Sequence, residues 1–282
     1  MKRVFVMLVV TLILTALYVF FVEPLWMVPL LERMTPNILY RARTKQLLVA
    51  LSFDDGPNPE FTPQVLALLQ QYDAKATFFL IGERAEGNPE LVHRILAGGN
   101  EVGNHWWRDG TVLWQSERGF VEGLERTGKA IGLAEGRNDN SGGASGSSDR
   151  GGQNLSGVEA AKAASSRHTP KLFRPPGGVA WSWQLRLAKE RGYTSVLGCA
   201  YPHDPMKTPV WYQRWLIEKN LAPGTIVILH DGIKDPTRSI ETLRHILAEG
   251  KLRGLKFVSI SELVDAGGAE RAEPARTIPT AK

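Results

Sequence analysis

Hydrophobic residues follow two regimes along the chain. The first is continuous: Val4 to Val22 is apolar except for Thr11 and Thr15, and Glu23-Pro24 closes the run. As a helix this run rises about 28 Å, close to the hydrocarbon thickness of a bilayer. Lys2 and Arg3 stand before it, which predicts a cytoplasmic N-terminus with the rest of the chain outside. A cleaved signal peptide has a shorter apolar core and a small-x-small cleavage site. Here bulky Leu25, Trp26 and Met27 follow instead, so residues 1–22 are expected to remain as a transmembrane signal anchor. Residues 23–45, with Arg41, Arg43 and Lys45 near lipid headgroups, are expected as a juxtamembrane stalk.

The second regime alternates. Short apolar runs at Gln46–Phe53, Ala76–Ile81, Glu101–Asn104, Lys171–Arg174, Tyr193–Leu197, Thr225–His230 and Lys256–Ile260 read as strands. Between them, helical spacing predicts helices after Thr62-Pro63, with Thr62 as N-cap, and at Pro89–Ala97, Glu117–Ile131, Trp181–Glu190, Val210–Asn220 and Thr237–Glu249. Gly136 to Gly157 is rich in Gly, Ser, Asn and Asp. Such a stretch cannot bury enough surface to offset its ordering entropy, so about 135–169 is expected as a disordered insertion. A linker between two domains is excluded because too few strands precede it to close a core. Residues 46–266 then form one domain, and 267–282, opening on Gly267-Gly268, read as a flexible tail. Repeated βα units imply an α/β fold with a parallel sheet, either an open doubly wound sheet or a closed barrel.

Composition narrows the function. The formal charge of +5 is spread without a Lys/Arg block, which argues against a nucleic-acid partner. No GxGxxG or P-loop follows the first strand, which argues against a nucleotide. Cys199 is the single cysteine, so neither an intrachain disulfide nor a thiolate metal cage can form.

In parallel α/β folds, chemistry gathers at the C-terminal ends of strands. Those ends carry Ser52-Phe53-Asp54-Asp55-Gly56-Pro57, Asn104-His105 with Asp109 four residues on, Arg174-Pro175-Pro176-Gly177-Gly178, Pro202-His203-Asp204 and His230-Asp231-Gly232. Each alone has an ordinary explanation, since Asp-Gly-Pro is a common turn and a strand-end His is usually structural. Together on one rim they make a site. Adjacent carboxylates cannot point the same way along a strand, but where the chain turns one can ligate a metal while the other takes a proton. Asp55, His105 and a residue one helical turn on would give an oxygen/nitrogen site with open positions. That suits zinc or another divalent ion acting as Lewis acid. His230, expected to arrive from the opposite side of the barrel, is a natural general acid.

These segments, in this order, resemble the polysaccharide deacetylase (NodB-homology) family, carbohydrate esterase family 4, over roughly residues 46–265. Ser52–Pro57 matches its first motif, Gly103-Asn104-His105 the start of its second, Phe173–Gly177 its third and Ile228-Leu229-His230 its last. The resemblance implies an irregular (β/α)7 barrel, here preceded by one transmembrane helix. It makes Asp54 the general base, Asp55 and His105 metal ligands, Arg174 the residue that orients Asp54, and His230 the acid for the leaving amine. A backbone N–H near Pro176 and Gly177 would help to stabilise the oxyanion. It implies a divalent metal, zinc first with manganese, iron, cobalt or magnesium as alternatives. The substrate would be an N-acetylated polysaccharide outside the cytoplasm, either peptidoglycan or a chitin-like polymer.

Three departures bear on that picture. The second motif usually reads His-x-x-x-His, whereas here the i+4 position is Asp109. Asp109 is the expected third ligand and would favour harder ions; capping the turn before Gly110 is its other role. Gly177 stands where the family has an aromatic residue. The Asp and Trp that usually support the catalytic His are not evident, and Asp204 is the candidate for tuning His230. Trp181, Trp183, Trp211 and Trp215 read as core, with sugar stacking as their other use. Two rival functions remain: hydrolysis of a non-sugar amide on the same barrel, or a degenerate membrane protein that only binds glycan.

Overall fold

Strands that are apolar on both faces are stable only where both faces are covered, and the run after Gln46 is of this kind. In the computed structural model, which describes residues 2–132 and 171–272 with side chains as far as Gly267, it becomes a central strand. The expected insertion at 135–169 lies outside the described residues, as does the end of the expected tail. The strands are β1 (Ile38–Leu39), β2 (Leu48–Gly56), β3 (Ala76–Leu80), β4 (Glu101–Asn104), β5 (Lys171–Phe173), β6 (Tyr193–Val196), β7 (Ile226–His230) and β8 (Lys256–Val258). They form one sheet in the order β1-β6-β5-β4-β3-β2-β7, with β8 also on β2, and every pairing is parallel. Bridges from Arg41 to Thr225 and from Ala200 to Val227 draw the two edges together. The sheet therefore curls into a half-barrel, which bears out the barrel-type α/β fold expected, with the two-residue β1 as an eighth strand beyond the seven counted in the sequence. One expectation about its order is corrected: β7 lies directly beside β2, with His230 in register with Asp54, rather than across the barrel.

The helices are α1 (Lys2–Val22), α2 (Val28–Met34), α3 (Thr62–Gln71), α4 (Gly82–Gly87), α5 (Pro89–Ala97), α6 (Glu117–Ala130), α7 (Ser182–Glu190), α8 (Val210–Asn220), α9 (Thr237–Leu252) and α10 (Ile260–Ala272). α10 continues to Ala272, into the stretch expected as a tail. Thr62 is not the N-cap of α3. It is the first helical residue, and its hydroxyl donates to Asp231 instead. The largest core cluster joins β2, β3 and β7 to α3, α5 and α9, with the Phe53 and Phe78 rings stacked 5.1 Å apart. Burial of side chains this large contributes roughly 1.5–3 kcal/mol each.

α1 has no buried side chain and is the one helix among the described residues long and apolar enough to cross a membrane. The segment after it is not a free stalk. Val28, Tyr40 and Ala42 are buried, β1 pairs with β6, and the Ala42 N–H donates to the Gly224 carbonyl at 2.9 Å. Apolar residues that follow the membrane run are partly spent on the domain itself. Val28, Tyr40 and Cys199 form a small core there, with Leu25 and Leu31 packed on it.

Candidate active site

The first motif solves its own geometric problem. β2 ends at Gly56, the register against β3 shifts between Asp54 and Gly56, and Asp55 takes a left-handed φ of 67°. That conformation is costly for a non-glycine residue and persists where surrounding contacts impose it. It turns the Asp55 carboxylate away from that of Asp54.

Asp54 faces Arg174, with Arg174 Nη1 2.6 Å from Asp54 Oδ1 and both side chains almost wholly enclosed. Every nitrogen of the guanidinium has a partner. It also donates to Ser52 Oγ at 2.9 Å and to the Leu197 and Val196 carbonyls at 2.6 and 3.3 Å, and it lies 4.0 Å over the Phe79 ring. Burial pulls the Arg174 pKa down against the opposing pull of Asp54. Ser52 was missed from the sequence, although alternation along a strand puts it on the same face as Asp54.

Asp55 meets His105, with Oδ1 3.3 Å from Nε2. Burial would raise the Asp55 pKa, but His105, then His230 and Arg84, bring it down to about 2. His105 Nδ1 lies 2.8 Å from the Arg174 carbonyl, an atom that can only accept. Nδ1 therefore keeps its proton in both states of the ring: Nε2 donates to the carboxylate when the ring is charged and offers a lone pair beside it when the ring is neutral. Two electron-pair donors on one opening are what a divalent cation would bridge, so this pair fits a metal.

Asp109 is not brought to them. Its carboxylate is 61% exposed and pairs with Arg84 at 2.9 Å. Among the described residues, no three His, Cys, Asp or Glu side chains gather as a metal-holding group. Arg84, which sequence reasoning missed, also donates to the Gly232 carbonyl at 2.7 Å and to the Asp55 carbonyl. A lone Arg on a short helix gives no signal of such a role. Beside these residues opens a cavity of about 610 Å³ lined by Asp55, Pro57, Arg84, Asp109, Gly232 and Lys234.

His230 is held by Asp204, whose side chain is wholly enclosed. Asp204 Oδ1 accepts from His230 Nδ1 at 2.9 Å, and Oδ2 accepts from the His230 N–H at 2.9 Å and from Ser239 Oγ at 2.5 Å. Burial would lower the His230 pKa, yet Asp204, with Asp54 and Asp55 beyond it, raises it from 6.5 to about 9. Next to it, Asp231 is pushed up to about 7 by burial against the bond from Thr62. Pro176 is buried in a short turn, and Gly177 has a φ of 67°. A Cβ at Gly177 would meet nothing within 4 Å, but the left-handed φ disfavours any side chain there. Trp183 packs in a core cluster, whereas Trp181, Trp211 and Trp215 are exposed.

A parallel half-barrel with three carboxylate pairs, Asp54 with Arg174, Asp55 with His105 and Asp204 with His230, at its strand ends is a polar site on an α/β fold. A family description, polysaccharide deacetylase, matches residues 41–141. A peptidoglycan-N-acetylglucosamine deacetylase of Bacillus cereus is 36% identical over 236 residues, spanning 82% of this chain and 94% of that protein. Among solved structures, a peptidoglycan N-acetylglucosamine deacetylase in complex with 4-naphthalen-1-yl-N-oxidanyl-benzamide superposes with a TM-score of 0.66 at 25% identity, covering 81% of this chain and 93% of that one. A family 4 acetyl xylan esterase from Clostridium thermocellum, in complex with a cobalt ion, gives 0.61 at 28% identity and covers 78% and 92%. The chain belongs to the polysaccharide deacetylase family.

Proposed function

We propose that the chain removes N-acetyl groups from peptidoglycan or a similar N-acetylglucosamine polymer outside the cytoplasm, held to the membrane by α1. One observation carries this reading: Asp54 with Arg174, Asp55 with His105, and His230 with Asp204 share a single rim. Asp55 and His105 would hold a divalent ion, zinc first, which when bound supplies Lewis-acid polarisation of the acetyl carbonyl. Asp54 takes a proton from water as its oxygen adds to the carbonyl carbon, and Arg174 fixes the carboxylate for that transfer. His230, raised to about 9, holds the proton that the amine nitrogen needs as the C–N bond breaks. Acetate and a free amine leave. A backbone N–H near Gly177 would help to stabilise the developing oxyanion.

The test is acetate release from peptidoglycan and from N-acetylglucosamine oligomers by the zinc-supplied chain, with bound metal counted on the same sample. Release from neither, with zinc bound, sinks the reading. A second reading, glycan binding without turnover, draws on the pairing of Asp109 with Arg84. It predicts glycan retention by a chain that binds no metal.

A further inference from the structure

The spacing of Trp211 and Trp215 on α8 predicts core, yet Gln213, Leu216, Ile217 and Asn220 take the buried face. Trp211 is 70% exposed and Trp215 43%, one turn apart, with exposed Arg214 and Lys219 on either side of them. A single exposed Trp requires no explanation. Two together among cations do.

This face is continuous with the end of α1. The Tyr212 hydroxyl donates to the Phe21 carbonyl at 2.6 Å, and the two rings lie 6.4 Å apart. The Trp215 ring lies 6.0 Å from that of Tyr212. The Lys219 ammonium lies 5.0 Å from the Trp215 ring and donates to the Val22 carbonyl. His203 Nε2 is 3.0 Å from the Phe20 carbonyl, and the Asn220 amide donates to the Glu23 carbonyl at 3.3 Å. The last carbonyls of a helix lack intrahelical partners. Here the domain supplies them, so α1 ends in a clamp and not in a swivel.

Val22 ends the apolar run and so marks the level of the headgroups, where Trp and basic side chains concentrate. We propose that α8 is a membrane seat: Trp211 and Trp215 enter the headgroup region of the bilayer that α1 crosses, with Arg214 and Lys219 facing anionic headgroups. The proposal rests on α1 being the anchor. The seat also connects to the active site through rings, from Phe20 to His203 at 4.6 Å, His203 to Tyr201 at 4.6 Å and Tyr201 to His230 at 5.8 Å. The site is thus held near the membrane surface and meets N-acetylated chains lying against it.

The full chain, carrying Cys199→Ser, is tested in nanodiscs of phosphatidylethanolamine and phosphatidylglycerol. An environment-sensitive fluorophore is attached at Trp211→Cys, Trp215→Cys, Leu14→Cys in α1, or Leu96→Cys on α5 beside the middle strands. Shallow spin-labelled lipids should quench the labels on α8 more than the one at Leu96→Cys, because the headgroup region is where interfacial Trp residues sit, while deep ones quench Leu14→Cys. Quenching at Leu14→Cys with α8 no different from α5 overturns the seat and leaves the anchor standing. No quenching at Leu14→Cys removes the anchor, and the seat with it. Shielding of α8 that appears only when a disc holds two chains makes a second copy the occupant and also overturns the proposal.

Discussion

Four of the carboxylates on the rim of the barrel stand in two kinds of surroundings. Asp54 and Asp204 are enclosed, with side chains 6% and 0% exposed, and each faces a cation-forming partner. Asp204 accepts three hydrogen bonds, and the partner of Asp54 is also held by Ser52, Val196 and Leu197. Asp55 and Asp109 are 19% and 61% exposed, and their partners leave part of each carboxylate facing the cavity. The enclosed pairs hold the groups that would move protons, where fixed charges in a low dielectric need no reorganisation during reaction. The open pairs hold the groups that would meet something from outside. One half of the site is finished by folding and the other is left for a ligand.

The comparison breaks most visibly at Arg174. Arg174→Ala leaves the Asp54 carboxylate buried without its partner, and removing one member of a buried ion pair costs about 3–5 kcal/mol. Denaturant unfolding should show that loss together with loss of turnover. Stability close to wild type would mean that Asp54 is hydrated and not enclosed. Asp54→Asn is the gentler cut. The amide oxygen still accepts from Arg174, so the fold and bound metal should be retained while turnover falls by roughly 10²–10⁴, the range for a lost general base. Activity within a few-fold of wild type removes Asp54 from the reaction.

The His230–Asp204 pair is separated from the others by pH. His230 sits above its ordinary 6.5, at about 9, so its protonated form is the one the fold stabilises. That contribution to stability is complete below about 6.5 and is lost as pH rises through about 9. Activity should follow the same limb, because an acid must hold its proton to give it. kcat/KM is therefore expected to fall above about pH 9, and Asp204→Asn should move that fall toward lower pH by removing the charge that raises His230. A limb that stays in place in Asp204→Asn would assign the titration to another group.

Much of this was legible in the sequence, and the exceptions have physical causes. Local periodicity revealed the strands, and strand ends marked Asp54, Asp55, His105, Arg174, Asp204 and His230 as candidates that the structure brings together in pairs, because those signals need only near neighbours. Strand order is not a local property. Nothing in residues 46–56 or 225–231 says that β2 and β7 pair, so His230 was expected across the barrel. A two-residue strand such as β1 has no periodicity, and beside a membrane run its apolar residues look interfacial. Arg84 and Ser239 act through partners far away in sequence, Asp109 and Asp204 respectively. Isolated Arg and Ser residues carry no mark of that. Trp211 and Trp215 misled because helical spacing reports a shared face and not which face is buried.

The finest test lies at Asp109, where the sequence expects a ligand and the structure shows an ion pair with Arg84. Both partners are substantially exposed, at 31% and 61%, and a pair of this kind is worth about 0–1 kcal/mol. Such a contact can open at little cost, so its presence alone does not decide what the carboxylate does when a cation arrives. Calorimetric titration with zinc does. If the open half consists of Asp55 and His105, Asp55→Ala should weaken binding by more than about a hundredfold, a loss larger than that usual for an outer partner of a metal site. Asp109→Ala should then change it by no more than about fivefold, the equivalent of the exposed pair it removes. Equal losses at the two positions would mean that Asp109 leaves Arg84 and joins the ion. Asp109→His sharpens that outcome, since an imidazole cannot replace the carboxylate as a partner for Arg84 but can ligate zinc. Tighter zinc binding in Asp109→His, with Arg84 released, would show that the i+4 position reaches the metal and that the arginine is what holds the native side chain away.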